Sequence, residues 1–384
     1  MRALIVKEFR ELARDRRTLA MLVVLPVLLL VIFGYAANFS VDRVTVIILG
    51  SEAEALAADI QDFDIAVDEL EILRVDPTLG ESDVENLLGT QEANAVILAE
   101  TADDGPLIQR MRVFLDGSGL FTAQAASGVF AKLAAEDAQT RVAALQASAS
   151  GVPPLLSAPQ LNLAETDTSD MITVLFNPDL KTSWVMVPGL IGLILLFIGA
   201  LITSIGLVRE REAGTLEQLA VMPLRPSAII LGKITPYFLL ALVNMAAVTA
   251  LGVWLFGVPF TGSLVLFAAA AIVFLFVVLG IGVLISSVSQ NTGQAIQLAI
   301  LFVVPQILLS GLIFPLDSMP LGVRWIGFVL PLTWFREITQ GVMLRDAGLD
   351  SLWLPLTVLA VMAVVAFGAA TARMRHSLTH GGAR

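Results

Sequence analysis

The stretch Arg209-Glu210-Arg211-Glu212-Ala213-Gly214-Thr215-Leu216-Glu217-Gln218-Leu219 gathers the residue types through which this chain could act on something else. Its charges suit docking. Arg209, Glu210, Arg211, Glu212, Glu217 and Gln218 offer polar contacts, Gly214-Thr215 lets another surface approach closely, and Leu216 and Leu219 can pack. Other chemistries find little here. There are no cysteines, hence no disulfide framework and no thiolate metal site. Gly232-Lys233 is the only Gly-Lys pair. Ser227 stands where a phosphate-binding loop needs its first glycine, and Ile234 where it needs Ser or Thr. His376 and His380 lie four apart near the C-terminus, without the further ligands a metal site would need, and read as part of a mobile tail. No catalytic residue, metal site or cofactor site is expected in this chain.

The elements that position the charged stretch are apolar. The chain is 57% hydrophobic and 15% charged, with mean hydropathy +0.83, whereas soluble domains carry about 25% charged residues. This is the composition of an integral membrane protein. Its net charge of −11 is unevenly spread. Residues 38–183 hold 24 acidic and 7 basic side chains, and the remainder is net positive by 6. An acidic soluble block is thus inserted into a mildly basic membrane protein, and nucleic acid is not a partner it suits.

A basic amphipathic helix over 1–18 lies in the membrane interface, with Ile5, Phe9 and Leu12 on one face. The uncharged run 19–37 is long enough to span. In the acidic block, strands read at Val44–Leu49, Glu71–Val75, Ala95–Ala99 and Arg112–Leu115. Helices read at Glu52–Ile60, Ser82–Leu88 (with Ser82 and Glu85 as a capping box) and 122–148. The acidic residues read as a solvated face. Spans follow at 184–208, 228–256, 263–286, 294–314 and 351–372, with no charged residue between Lys233 and Asp317. The charged stretch, 209–223, forms a helix between the second and third spans. Residues 315–350 are too polar for a span and too aromatic for a free loop, so they read as short helices in the outer interface. Residues 373–384 form a tail.

The expected fold is therefore a membrane all-α bundle of six transmembrane helices, with an α/β extracytoplasmic domain between the first and second. Thirteen of the 23 Lys/Arg fall in 1–18, 209–233, 286–294 and 373–384. The positive-inside rule then puts both termini and the charged helix in the cytoplasm. The spans hold no carboxylate to relay protons, and Asn244, Gln297 and Gln306 read as helix–helix contacts. Energy must enter from elsewhere.

The chain resembles the type-2 permease subunits of ATP-binding-cassette exporters. The resemblance is carried by the basic start and first span, by Phe114-Leu115-Asp116-Gly117-Ser118, and by Asn177-Pro178 with Pro188-Gly189. Arg209 to Leu219 with Pro223-Leu224 and Gly232-Lys233 is its most specific part. Leu309-Ser310-Gly311, Phe314-Pro315, Ser318-Met319-Pro320 and Pro331-Leu332-Thr333 complete it. The resemblance implies that 209–223 is a coupling helix. Arg209, Glu210, Arg211, Glu212, Gly214, Thr215, Glu217 and Gln218 would contact an ATPase subunit. It implies two permeases with two ATPases, ATP and Mg held by the ATPases, a bacterial plasma (inner) membrane, and lipophilic or amphiphilic cargo such as drugs or lipids moved outward. Membrane lipid surrounds the spans, and a periplasmic adaptor is a further candidate partner. The rival readings are a membrane-anchored receptor or scaffold acting through the external domain, and an ion-coupled carrier. Replacing Glu210 and Glu217 together by lysine is expected to abolish co-purification with the ATPase while membrane insertion stays normal. A double variant that still retains the ATPase would remove the docking role.

Overall fold

A computed structural model describes residues 43–63, 69–99, 105–148, 171–212 and 226–380, in two compact units. The expected interface helix at 1–18 and first span at 19–37 lie outside the described residues.

In the first unit, β-branched residues set the centre. Val44-Thr45-Val46-Ile47-Ile48-Leu49 forms strand β1 and is buried along nearly its whole length. It is followed by α1 (Ala53–Gln61), β2 (Leu70–Asp76), α2 (Glu81–Gly89), β3 (Ala95–Ala99), α3 (Leu107–Arg110), β4 (Met111–Asp116), α4 (Leu120–Ser148) and β5 (Ile172–Leu175). The sheet order is β2-β1-β3-β4-β5. β1 pairs parallel with β2 and β3, β4 runs antiparallel to β3, and β5 is parallel to β4. Side chains alternate across a strand, so Val44, Val46 and Ile48 meet α1 and α4 through Leu56, Ile60 and Phe130. Ile47 and Leu49 meet α2 through Val84, Leu87 and Leu88. Both faces of the sheet are covered, which is why β1 reads as a continuous apolar run. Among the described acidic residues only Asp116 and Asp137 are buried.

Two separated sequence motifs meet at one end of this sheet. Gly117 donates its N–H to the Leu175 carbonyl at 3.0 Å. A β-carbon there would stand 2.7 Å from that oxygen, which excludes any other residue. Asn177 is fully buried. Its Nδ2 donates to the carbonyls of Gly117 (3.3 Å) and Lys181 (3.2 Å), and its Oδ1 accepts the Lys181 N–H at 2.9 Å. The unit also takes in Leu344–Ala347, where Arg345 Nη1 lies 3.9 Å from Asp116 Oδ2.

The second unit is helical. It contains α5 (Thr182–Leu196), continued by a π-helical turn (Phe197–Ile202) and α6 (Thr203–Glu212), then α7 (Pro226–Phe256), α8 (Leu264–Val288) and α9 (Thr292–Leu309). A 3₁₀ turn (Leu316–Ser318), α10 (Leu321–Val329), α11 (Pro331–Arg345) and α12 (Leu349–His380) follow. Among the described residues, five helical segments are long and apolar enough to cross a membrane: Thr182–Arg209, Tyr237–Phe256, Leu264–Val288, Thr292–Leu309 and Leu349–Arg373. Each has 18 to 28 residues, against about 20 needed for a crossing.

α8 is the hub. A β-carbon on Gly282 would lie 2.5 Å from the Gly199 carbonyl oxygen, in the π turn of the neighbouring span, and one on Gly280 would lie 3.1 Å from the Ala366 backbone of α12. Small residues let backbones approach in a medium where apolar burial between helices provides no driving force. Phe274 of α8 stacks on Phe335 of α11, with centroids 4.3 Å apart.

Several local expectations change. α2 is capped by Gly80, whose N–H donates to the Asp83 carboxylate at 3.0 Å, rather than by Ser82 and Glu85. The span read over 294–314 ends as a helix at Leu309, because Gly311 takes a left-handed φ of +83° and turns the chain. α12 continues through His380, where the sequence reads as a mobile tail; Ala369-Ala370-Thr371-Ala372 is rich in the strongest helix former. β5 and α3 are too short to announce themselves.

Gly282→Ala is expected to lower the thermal midpoint of the detergent-solubilised protein by several degrees. Gly368→Ala, whose β-carbon meets nothing within 4 Å, is expected to leave it unchanged or slightly raised. Equal midpoints for the two variants would remove the backbone contact from the account.

Candidate functional site

The charged stretch begins inside a helix that starts as a span. From Thr182 to Glu212 the chain stays helical through α5, the π turn and α6, so Arg209–Glu212 are the last turn of one continuous rod. The π turn holds because its freed groups find partners: Thr203 Oγ1 lies 3.5 Å from the Ile198 carbonyl, and Ser204 Oγ donates to the Leu201 carbonyl at 2.9 Å. Both side chains are fully buried, as is Val208, while Leu207 is nearly so. Burial stops at Arg209, which is exposed, as is Glu212. Glu210 and Arg211 belong to the same turn. Gly214, Thr215, Glu217 and Gln218 lie outside the described residues. At Gly206 the Tyr237 hydroxyl fills the space a β-carbon would need, so α6 packs closely against α7 there.

The second half of the site comes from the polar run 286–294, which the sequence presents only as a break between spans. Ser286, Ser287 and Ser289 donate their hydroxyls to the carbonyls of Val283, Leu284 and Ile285, closing the end of α8. Asn291 then opens α9: its Oδ1 accepts the Gln294 N–H at 2.9 Å, and Gln294 Oε1 accepts the Gln290 N–H at 3.0 Å. Glu212 completes the arrangement. Its Oε1 accepts the Thr292 N–H at 2.9 Å and its Oε2 accepts the Thr292 hydroxyl at 2.8 Å.

A carboxylate at a helix N-terminus meets unsatisfied N–H groups and the positive end of the helix dipole. The Thr292 backbone N–H, then its hydroxyl, and then the positive charge of Arg209 hold the Glu212 carboxyl below its usual range. A carboxylate with a lowered native pKa contributes above its unfolded pKa, and the contribution is lost as pH falls through the native value. The contact therefore persists at neutral pH and is released only in acid.

Sequence reading places Glu212 among outward-facing contacts and passes over Asn291 and Thr292. The signal was available in Asn291-Thr292-Gly293-Gln294, which has the spacing of a reciprocal helix cap. The pairing of Glu212 with Thr292, 80 positions apart, has no such signal. Of the polar span residues, Gln306 is a helix–helix contact, its Oε1 accepting the Leu332 N–H of α11 at 3.1 Å. Asn244 instead bonds its own helix through Leu240, and Gln297 is exposed.

Comparison with known proteins gives this geometry its context. Residues 16–372 match the model of the ABC-2 family transporter proteins. The chain belongs to the ABC-2 transporter family. This ABC-2 protein is 30% identical over 385 residues to the probable multidrug ABC transporter permease YbhR of Escherichia coli, covering 98% of each chain. It is 29% identical over 359 residues to the probable multidrug ABC transporter permease YbhS of the same organism, covering 90% of this chain and 88% of the other. ABC transporter G family member 20 of Dictyostelium discoideum is 31% identical over 177 residues, 46% of this chain and 24% of that one. The chain is the multi-pass permease subunit of an ABC exporter, a transport subunit rather than an enzyme, and its family implies partnership with an ABC ATPase.

Asn291→Ala is expected to destabilise the ABC-2 permease by about 1 kcal/mol through loss of the cap, whereas Asn291→Asp, which keeps the acceptor, is expected to cost little. Denaturant titration in mixed micelles measures both. An unchanged midpoint for the alanine variant would show that the cap is not needed.

Proposed function

We propose that this chain exports lipophilic or amphiphilic cargo, a drug or a lipid, out of the cytoplasm as a pair of permeases driven by a pair of separate ATPases. The ATPases bind ATP and Mg, and press on a coupling helix formed by 209–223. The single observation that carries this reading is the unbroken helix from Thr182 to Glu212, which joins a span rigidly to a charged end. A displacement applied to that end cannot be absorbed by a loop before it reaches the span. The ATPase then works by population shift: closing around ATP, it favours whichever arrangement of the spans its docking surface fits better.

The relatives' names, which call YbhR and YbhS probable multidrug permeases, support drug-like cargo. The uncharged spans suit an amphiphile that keeps its apolar part in lipid. The distribution of basic residues supports a plasma (inner) membrane protein with both termini and the coupling helix in the cytoplasm and the α/β unit outside.

Because the chain lacks cysteine, orientation can be mapped with single substitutions. In intact cells a membrane-impermeant maleimide is expected to label the Ser51→Cys variant, in the exposed turn before α1. The Thr215→Cys variant is expected to react only after the membrane is opened. Labelling of Thr215→Cys from outside would put the coupling segment on the wrong side for a cytosolic ATPase.

A further inference from the structure

The Glu212 carboxylate is engaged within the chain although it sits in the middle of a stretch that reads as a docking surface. Both of its oxygens are taken, and by the same residue: one accepts the backbone N–H of Thr292, the other its hydroxyl. Two bonds to one residue fix direction as well as distance. Asn291 and Gln294 already secure neighbouring donors at the start of α9, so this N–H is one of the few left for another element to claim. α9 also packs along α6 and the π turn. The Glu212–Thr292 contact therefore stands at the end of an existing helix–helix seam, where it pins two rods that already lie side by side.

We propose that Glu212 is a positioning residue that couples the docking segment to α9, so that one push on 209–223 moves two spans together: Thr182–Arg209 directly, and Thr292–Leu309 through Thr292. This inference rests on the proposed function, in which an ATPase presses on that segment. Any ATPase donor reaching Glu212 would have to share its remaining lone pairs with the two Thr292 donors already in place. Arg209, which is exposed, offers a neighbouring charge for docking. The π turn gives the pin a purpose. A widened turn interrupts regular helical geometry between the charged end and the outer half of the rod, and a second span held at the tip keeps the end from twisting alone.

The test uses the full permease reconstituted with its ATPase in liposomes, with cargo efflux and ATP hydrolysis measured on the same sample. Thr292→Val removes the hydroxyl donor with little change of shape, Thr292→Ser keeps it, and Glu212→Gln removes the charge and one acceptor. The valine variant is expected to bind the ATPase and hydrolyse ATP as before. Cargo moved per ATP is expected to fall by about fivefold or more, within the usual range of coupling between sites. The double variant is expected to be no worse than either single one, and Thr292→Ser is expected to match the unmodified protein. Unchanged cargo per ATP in Thr292→Val would overturn the inference, as would additive losses in the double variant. Loss of ATPase binding in Glu212→Gln would also overturn it, by making Glu212 a docking contact. If Glu212→Gln fails to insert, Thr292→Val, which leaves the backbone bond in place, still decides the matter. Failure of the unmodified permease to bind any ATPase would instead sink the proposed function, so the two failures are distinguishable.

Discussion

Hydrocarbon offers no partner for a bare N–H or carbonyl, so a chain crossing it must keep its hydrogen bonds in its own helical ladder. The rest of this permease follows from that constraint. It makes Thr182–Glu212 a rod, because any break within the bilayer would expose backbone groups. Its irregularities do not break it: Pro188 sits inside α5, and the π turn at Phe197–Ile202 widens the helix and recruits the Thr203 and Ser204 hydroxyls. Once the rod leaves the apolar layer, charge becomes tolerable, and Arg209 to Glu212 appear within a single turn. The result is one continuous helix, apolar along most of its length and charged at its end.

The rod packs on α8. Apolar side chains gain little by leaving lipid for each other, so association depends on close packing. Gly199 and Gly282 bring the π turn and α8 together at backbone contact, and Gly280 does the same for α8 and α12. Polar side chains close the remaining gaps where helices end. Gln306 reaches from α9 to the first turn of α11, and the serines after Val283 fold back on the end of α8. The α/β unit is built on different physics. Ordinary apolar burial on both faces of the sheet holds it, and among its described carboxylates only Asp116 and Asp137 are buried.

Much of this was legible in the residues themselves. β1 and β3 fall where β-branched runs predict strands, and helices lie along the long uncharged runs, because both signals are local. The family is legible too, since its motifs are contiguous. What the motifs are for is not. Asp116-Gly117-Ser118 and Asn177-Pro178 are 60 positions apart, and only in the sheet does Asn177 reach the Gly117 carbonyl. Helix ends were read less well than helix interiors: a backbone turn at Gly311 and a cap at Gly80 outweighed composition.

The sequence by itself determined that this is a membrane protein, how its apolar and acidic parts divide, where its charges cluster between spans, and to which family it belongs. Hydropathy, charge and short motifs are properties of neighbouring residues, and neighbours are what a sequence records. Only the tertiary structure decided that Glu212 bonds Thr292, that α8 lies at the centre of the described helices, and that the charged end is continuous with a span through a π turn. Those facts depend on which distant backbones approach closely enough to exchange a hydrogen bond or lose a β-carbon, and that is set by packing in three dimensions.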